Sequence, residues 1–363
     1  IGIKDLPELT ENEYGLTTGP KAHIKAIVQR WMDPNGDGDP SDGIDGWRLD
    51  VAEMVDIAFW KEFNTWVKAI NPDAYITGEI WWHHYNEGEM FNAAPWLAPN
   101  IYDGVMNYRF ARAVKQFIAD QQTQITATAF IDSLKNIYAD YPWERVLTCQ
   151  NLLDSHDLDR FSSQIVNPDR LIDHQSDPYS NPNYLVRKPN QIEWQKFRLA
   201  VGLQFTLPGA PMIYYGDEAG MWGSDDPDQR KPMVWPEFQY QPEAHDEFGK
   251  TRPADVVKFD QSLFDYYKQL IAIRKAHEVF TNGKIAFIQT AQATKQLAFK
   301  RYTPNESMIV LVNNQAKEAF INLPVEQVGN QALTDLLSQQ NFKAQKAIYS
   351  IQMPAYGIRI LKP

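Results

Sequence analysis

Two stretches decide the fold: Ile44-Asp45-Gly46-Trp47-Arg48-Leu49-Asp50 and Ala74-Tyr75-Ile76-Thr77-Gly78-Glu79. Each reads as a short strand that ends in a carboxylate. Between them Phe59, Phe63, Trp66 and Ile70 recur at i, i+4, i+7 and i+11, the spacing of one helix face. Asn71-Pro72-Asp73 breaks that helix. A strand, a helix and a second strand of this length form a right-handed crossover, which sets Asp50 and Glu79 at the same end of neighbouring parallel strands.

The alternation extends both ways. Upstream, Lys21 to Trp31 has helical spacing through Ile24, Ile27 and Val28, and stops at Asp33-Pro34 before a Gly/Asp/Pro loop. Downstream, Asp103–Asn107, Arg145–Leu153 and Pro211–Tyr215 read as further strands, with helices between them and one around Trp194 to Phe205. Strands that alternate with helices and end in polar residues predict a parallel sheet whose active face lies at the strand C-termini. From Lys284 onward short alternating runs recur, at 285–288, 297–300, 308–312, 319–323 and 357–361, as in an antiparallel sandwich. We therefore expect an α/β domain over residues 1–282 and a small antiparallel β domain over 283–363.

Composition narrows the function classes. Acidic residues outnumber basic ones, 46 to 35, which argues against a nucleic-acid or anionic-membrane partner. No apolar run approaches the ~18–20 residues of a membrane span. The single cysteine, Cys149, excludes an internal disulfide and a thiolate zinc cluster. The sequence assigns no compartment, and periplasm and cytoplasm both stay open. Ile1 opens the chain without a signal-peptide pattern, and the numbering is expected to begin inside a longer gene product.

Two carboxylates facing one cleft do not share a pKa easily, so one tends to stay ionised while the other holds a proton. Retaining glycoside cleavage needs such a pair, about 5–5.5 Å apart. Gly46-Trp47-Arg48-Leu49-Asp50, Gly78-Glu79-Ile80-Trp81 and Ser155-His156-Asp157 together resemble three motifs of the α-amylase superfamily, in the family's order. Ala94-Pro95-Trp96-Leu97, Val105-Met106-Asn107-Tyr108, Gln204 to Gly209, Ile213 to Glu218 and Asp226 to Met233 add to the resemblance, which is strongest to the neopullulanase/cyclomaltodextrinase/maltogenic-amylase branch and covers residues from about 20 to 363.

The resemblance implies Asp50 as nucleophile, Glu79 as general acid/base and Asp157 as the third acid, binding the hydroxyls of the distorted sugar. Arg48, two residues before Asp50 on one strand face, would orient the nucleophile, and His156 would hydrogen-bond the same sugar. Trp81, Trp82 and Tyr85 are candidates for stacking on leaving-group sugars, with core packing the other reading of Trp81. Asp226 and Arg230 align with substrate-contacting positions, and a surface salt bridge is their other reading. The resemblance implies no cofactor for the chemistry. The family's first motif, an Asp and an Asn-His on the third strand, has no match here.

Two metal readings arise from the residues. Asp33, Asn35, Asp37 and Asp39 alternate like the first half of a calcium loop, but Ile44 stands where a bidentate Glu would close it. An Asx-rich turn is the other reading of the same residues. His83 and His84 are adjacent, and neighbours on an extended strand point apart, which argues against a metal pair.

The expected fold is the C-terminal part of a TIM (β/α)₈ barrel, strands four to eight, followed by the small β domain. The expected function is retaining hydrolysis of α-glucosidic bonds in maltooligosaccharides, cyclodextrins or pullulan. A transglycosylase on the same site and a non-catalytic binding module are the alternatives. The expected partners are an α-glucan oligosaccharide substrate and an upstream half of the same enzyme supplying strands one to three; a homodimer stays open.

Overall fold

Gly46–Leu49 (β1) runs parallel to Tyr75–Gly78 (β2) in the computed structural model, with Gly46 opposite Tyr75 and Leu49 opposite Gly78. The structure describes residues 9–13, 15–288 and 295–363; Ile1, where the numbering starts, lies outside them. On its other side β2 pairs in parallel with Gly104–Val105 (β3), and Met106 continues the order by a parallel bridge to Gln150. Among the described residues β1 pairs with β2 alone.

The chain divides into two compact units: residues 1–108 with 137–150, and residues 109–136 with 151–363. In the first, Thr18–Met32 (α1) and Ile57–Ile70 (α2) pack on the parallel strands. Asp56 caps α2 by accepting a hydrogen bond from the Ala58 amide at 2.7 Å, and the apolar face of α2 buries Phe59, Phe63 and Val67. They join Val28 and Met32 of α1 and Ile76 of β2 in one core. That burial fixes the strand register, since a one-residue slip would turn Ile76 out of the core. Gly78 closes β2 because a side chain there would meet the buried Tyr102 ring, with a Cβ only 2.4 Å from its Cε2.

The second unit holds Gln191–Thr206 (α3), Gln261–Ala276 (α4) and the C-terminal strands. Asn190 and Glu193 form a reciprocal capping box at the start of α3. From inside α3, Gln204 donates to the carbonyls of Asn151 and Met212, each at 2.8 Å, while the Met212 amide donates to Asn151. A six-stranded antiparallel sheet follows. Its strands are Lys284–Ile288 (β4), Gln296–Tyr302 (β5), Ser307–Asn313 (β6), Leu333–Asp335 (β8), Asn341–Phe342 (β9) and Gly357–Lys362 (β11). Their spatial order is β4-β5-β6-β11-β8-β9, and Ala319–Pro324 (β7) pairs with Ile348–Met353 (β10) as a second layer. Ala298, Ile309 and Leu311 from one layer bury against Ile321, Tyr349 and Ile351 from the other.

Three local expectations change. Arg145–Leu153 is not a strand: Trp143–Thr148 is helical and only Gln150–Asn151 is extended. A short apolar run does not distinguish the two states by pattern, and here Arg145 turns back to pair with Asp103 at 2.9 Å. The strand expected over Pro211–Tyr215 is confined to Ala210–Pro211. The C-terminal domain gains β8, β9 and β10, which the sequence reading did not include.

Candidate active site

Because Leu49 faces Gly78, the next residues, Asp50 and Glu79, leave adjacent parallel strands at the same end. Adjacent strands lie about 4.8 Å apart. Backbone bonds lock this junction: the Glu79 amide donates to the Leu49 carbonyl at 2.9 Å, and the Ala52 amide donates to the Glu79 carbonyl at 3.2 Å. Between these bonds Val51 takes a left-handed conformation, φ 45°. That strained β-branched residue turns its amide onto the Glu79 carboxylate, Oε2, at 2.9 Å.

Arg48 joins the two acids. Its Nη1 pairs with Asp50, and its Nη2 lies 3.0 Å from Glu79 Oε2. Burial works against its charge, but Glu79 and Asp50 outweigh burial and hold the guanidinium above its ordinary pKa. The carboxylates differ in setting: Glu79 is buried, whereas the Asp50 side chain is 71% exposed. The other Glu79 oxygen accepts from the Tyr108 hydroxyl at 3.2 Å. Tyr108 stacks on Trp81, with centroids 4.0 Å apart and planes 6° from parallel.

Tyr108 and Glu53 are site residues to which sequence reasoning gave no role. Tyr108 reaches Glu79 through space from beyond β3, so no spacing rule exposes it. Glu53 follows β1 and carries a buried Oε2 without a hydrogen-bond partner. Burial, then the charges of Glu79 and Asp50, push its carboxyl up to about 7.

Of the aromatic candidates, Trp81 is buried in its stack with Tyr108 and Trp82. Trp82 is half-buried and Tyr85 exposed, and their rings meet edge to face at 5.4 Å. Both keep surface available to a ligand.

The second unit brings four predicted residues together. His156 Nε2 lies 3.0 Å from Asp157 Oδ2, and Arg230 Nη2 lies 3.2 Å from Asp157 Oδ1 and 3.3 Å from Asp226 Oδ2. The His156 carbonyl accepts from Gln229 Nε2 and Arg230 Nε, each at 2.8 Å. Beneath this cluster sits Arg160, fully buried. Its Nη1 donates to Asp217 at 3.0 Å and to the Tyr215 carbonyl at 2.8 Å, and its Nη2 donates to the Gln229 carbonyl at 2.8 Å. Asp217 hydrogen-bonds Asp154. Burial raises both carboxyls above the usual carboxylate range, and for Asp217 the Asp154 charge adds to the effect.

The loop from Asp33 to Asp39 satisfies its own oxygens. Asp33 accepts from the Gly36 and Gly38 amides, Asn35 from Asp37, Asp37 from Asp39, and Asp39 from Ser41, all between 2.8 and 3.0 Å. These are Asx turns, with Gly36 and Gly38 at positive φ. Among the described residues, one group of three histidine or acid side chains brings a ligand atom from each within 4.8 Å of the others, and it is His83, His84 and Glu89 rather than the loop's carboxylates.

These features define a class. The chain belongs to the α-amylase family: residues 17–283 match the α-amylase catalytic domain, a TIM-barrel family, and residues 285–360 match the maltogenic amylase C-terminal domain. It is 33% identical over 314 residues to a cyclomaltodextrinase from Geobacillus thermopakistaniensis (strain MAS1), covering 86% of this chain and 44% of that one. It is 32% identical over 362 residues to neopullulanase 2 from Thermoactinomyces vulgaris, covering 99% and 50%. A solved cyclomaltodextrinase structure superposes with TM-score 0.73 at 28% identity, over 99% of this chain and 53% of that one. The chain thus spans about half the length of the curated relatives it matches.

Proposed function

We propose that this chain carries the catalytic acids of a retaining α-glucoside hydrolase acting on maltooligosaccharides, cyclodextrins or pullulan. The observation that carries the proposal is the Arg48 bridge between an exposed Asp50 and a buried Glu79 at the ends of adjacent parallel strands. One guanidinium spans both carboxylates, as the close spacing of a retaining pair requires. Asp50 attacks the anomeric carbon and forms a glycosyl ester, while Glu79 gives its proton to the departing sugar oxygen. Water then enters, Glu79 takes its proton, and Asp50 is released. The donors around Glu79, from Arg48, Val51 and Tyr108, meet it as the carboxylate left after proton donation.

Asp157 takes the role of the third acid, binding sugar hydroxyls, with His156 beside it and Arg230 and Asp226 as further substrate contacts. Trp82 and Tyr85 supply stacking faces on the leaving-group side. The names of the relatives support the substrate class. The three paired parallel strands, the parallel Met106–Gln150 bridge and the short Ala210–Pro211 segment are read as strands four to eight of the barrel, a reading supported by the motif order.

The test uses the native polypeptide that carries residues 1–363. Glu79→Gln should abolish maltotriose hydrolysis but spare cleavage of an α-maltosyl fluoride, whose leaving group needs no proton. Asp50→Asn should lose both. Retention of the glycosylation step in Asp50→Asn would overturn the assignment. Maltotriose turnover by residues 1–363 alone, equal to that of the native polypeptide, would refute the strand numbering.

A further inference from the structure

We propose that His83, His84 and Glu89 form a binding site for a divalent transition-metal ion of the zinc class. The three side chains project from one short hairpin, in which Trp82–His84 pairs antiparallel with Glu89–Met90. Regular alternation would send His83 and His84 to opposite faces. The register is irregular instead: Trp82 pairs with Met90 and His84 with Glu89, so three residues oppose two and the strand bulges. The bulge cancels the alternation. The two imidazoles therefore lie with centroids 4.0 Å apart, and His83 Nδ1 lies 3.4 Å from Glu89 Oε1.

One ligand atom from each of the three residues falls within 4.8 Å of the others. Zinc bonds of about 2.0–2.2 Å set tetrahedral ligand atoms roughly 3.4 Å apart, so the widest pair need close by about 1.4 Å at most. All three side chains are exposed. The His83 ring also packs on Phe91 at 4.8 Å, which restricts it before any ion arrives. The hairpin turn is fixed as well, by the Gly88 amide donating to the Tyr85 carbonyl at 2.9 Å with Gly88 at φ 66°.

Two imidazoles and one carboxylate select zinc, copper or nickel over calcium or magnesium, which take oxygen ligands. Three protein ligands leave a coordination position for water. The hairpin also carries Trp82 and Tyr85, so an ion bound here would rigidify the segment that presents those rings. Binding itself does not depend on the hydrolase reading.

Calorimetric titration of the full chain with zinc chloride in chelator-free buffer tests the proposal. One ion should bind per chain with micromolar affinity. His83→Ala and His84→Ala should each weaken binding more than about tenfold, and Glu89→Gln by a smaller factor. Because these residues are exposed, the variants should melt with the parent. As a second measurement, the copper-loaded parent should show hyperfine coupling to two imidazole nitrogens in its paramagnetic resonance spectrum. Absence of saturable binding, or zinc binding that survives both histidine substitutions unchanged, would overturn the site. A copper spectrum without two coupled nitrogens would do the same.

Discussion

Replacing Arg160 with methionine keeps most of the side-chain volume and removes the positive charge beneath His156 and Asp157. The guanidinium is fully buried and contacts Asp217, the Tyr215 carbonyl and the Gln229 carbonyl, while its plane lies over the Tyr214 ring at 4.5 Å. Asp217 is buried 3.0 Å from Arg160 Nη1, so removing the guanidinium leaves that acid and its neighbour Asp154 without the cation they face. Leaving a buried charge unpaired costs about 3–5 kcal/mol. Two carbonyls also lose their donor, at about 1–3 kcal/mol each if nothing replaces it. These terms share one site and do not add. The expected loss is about 4 kcal/mol, a large part of a total stability of roughly 5–15 kcal/mol. Urea unfolding of parent, Arg160→Met, Asp217→Asn and the double variant at pH 7 measures it. Removing Asp217's charge as well should recover at least about 2 kcal/mol, because the double variant leaves fewer buried charges uncompensated. A single-variant loss below about 1 kcal/mol, or strictly additive losses, would refute the charge-balance account.

Glu53→Gln should remove a pH dependence. The carboxyl is raised from the usual 4.5 to about 7, so the folded chain binds more protons than the unfolded chain between those values, and its contribution to stability is lost as pH rises through 7. The glutamine variant should gain on the parent by up to about 3 kcal/mol between pH 5 and 8 in urea titrations, and a constant difference would contradict the burial argument. Gly78→Ala should cost about 1–3 kcal/mol by forcing Tyr102 aside; an unshifted melting temperature would show that the ring moves freely. The Asp33–Asp39 loop already closes through its own amides, so millimolar calcium should leave the melting temperature where EDTA does. A rise of several degrees would establish an ion there, since a ligand at 100 times its Kd adds about 2.7 kcal/mol.

The parallel α/β layer and the acid pair were legible because both rest on local periodicity. Phe59, Phe63 and Val67 mark one face of α2, and a strand ending at Leu49 or Gly78 delivers the next residue to the sheet end whatever surrounds it. What stayed hidden depends on contacts between distant residues. Arg145–Leu153 read as a strand, but Trp143–Thr148 is helical and its Arg145 pairs with the distant Asp103. Tyr108 meets Glu79 across 29 positions, and Arg160 meets Gln229 across 69. The strand Ile348–Met353 does carry its signal, a period-two burial of Tyr349, Ile351 and Met353. His83 and His84 failed for another reason. The alternation rule was sound, but a bulge set by the partner strand overrode it.

Arginine recurs at the points where these units hold their acids, and the geometry of its side chain explains why. A strand end presents carbonyls and carboxylates that diverge, and a planar fork with five donors reaches several of them at once. Arg48 spans Asp50 and Glu79, Arg160 spans Asp217 and two carbonyls, and Arg230 spans Asp157, Asp226 and the His156 carbonyl. A lysine can also bridge two acids, as Lys231 does between Asp228 and Glu243, but its ammonium lacks the planar fork that sets the direction of each bond. Exposure then sorts the three. The side chains of Arg48 and Arg230 are 31% and 42% exposed, within reach of a ligand, whereas Arg160 is sealed below and fixes the backbone on which Arg230 and His156 stand. The same chemical device therefore serves contact at the surface and scaffolding underneath, and burial separates the two roles more clearly than sequence position does.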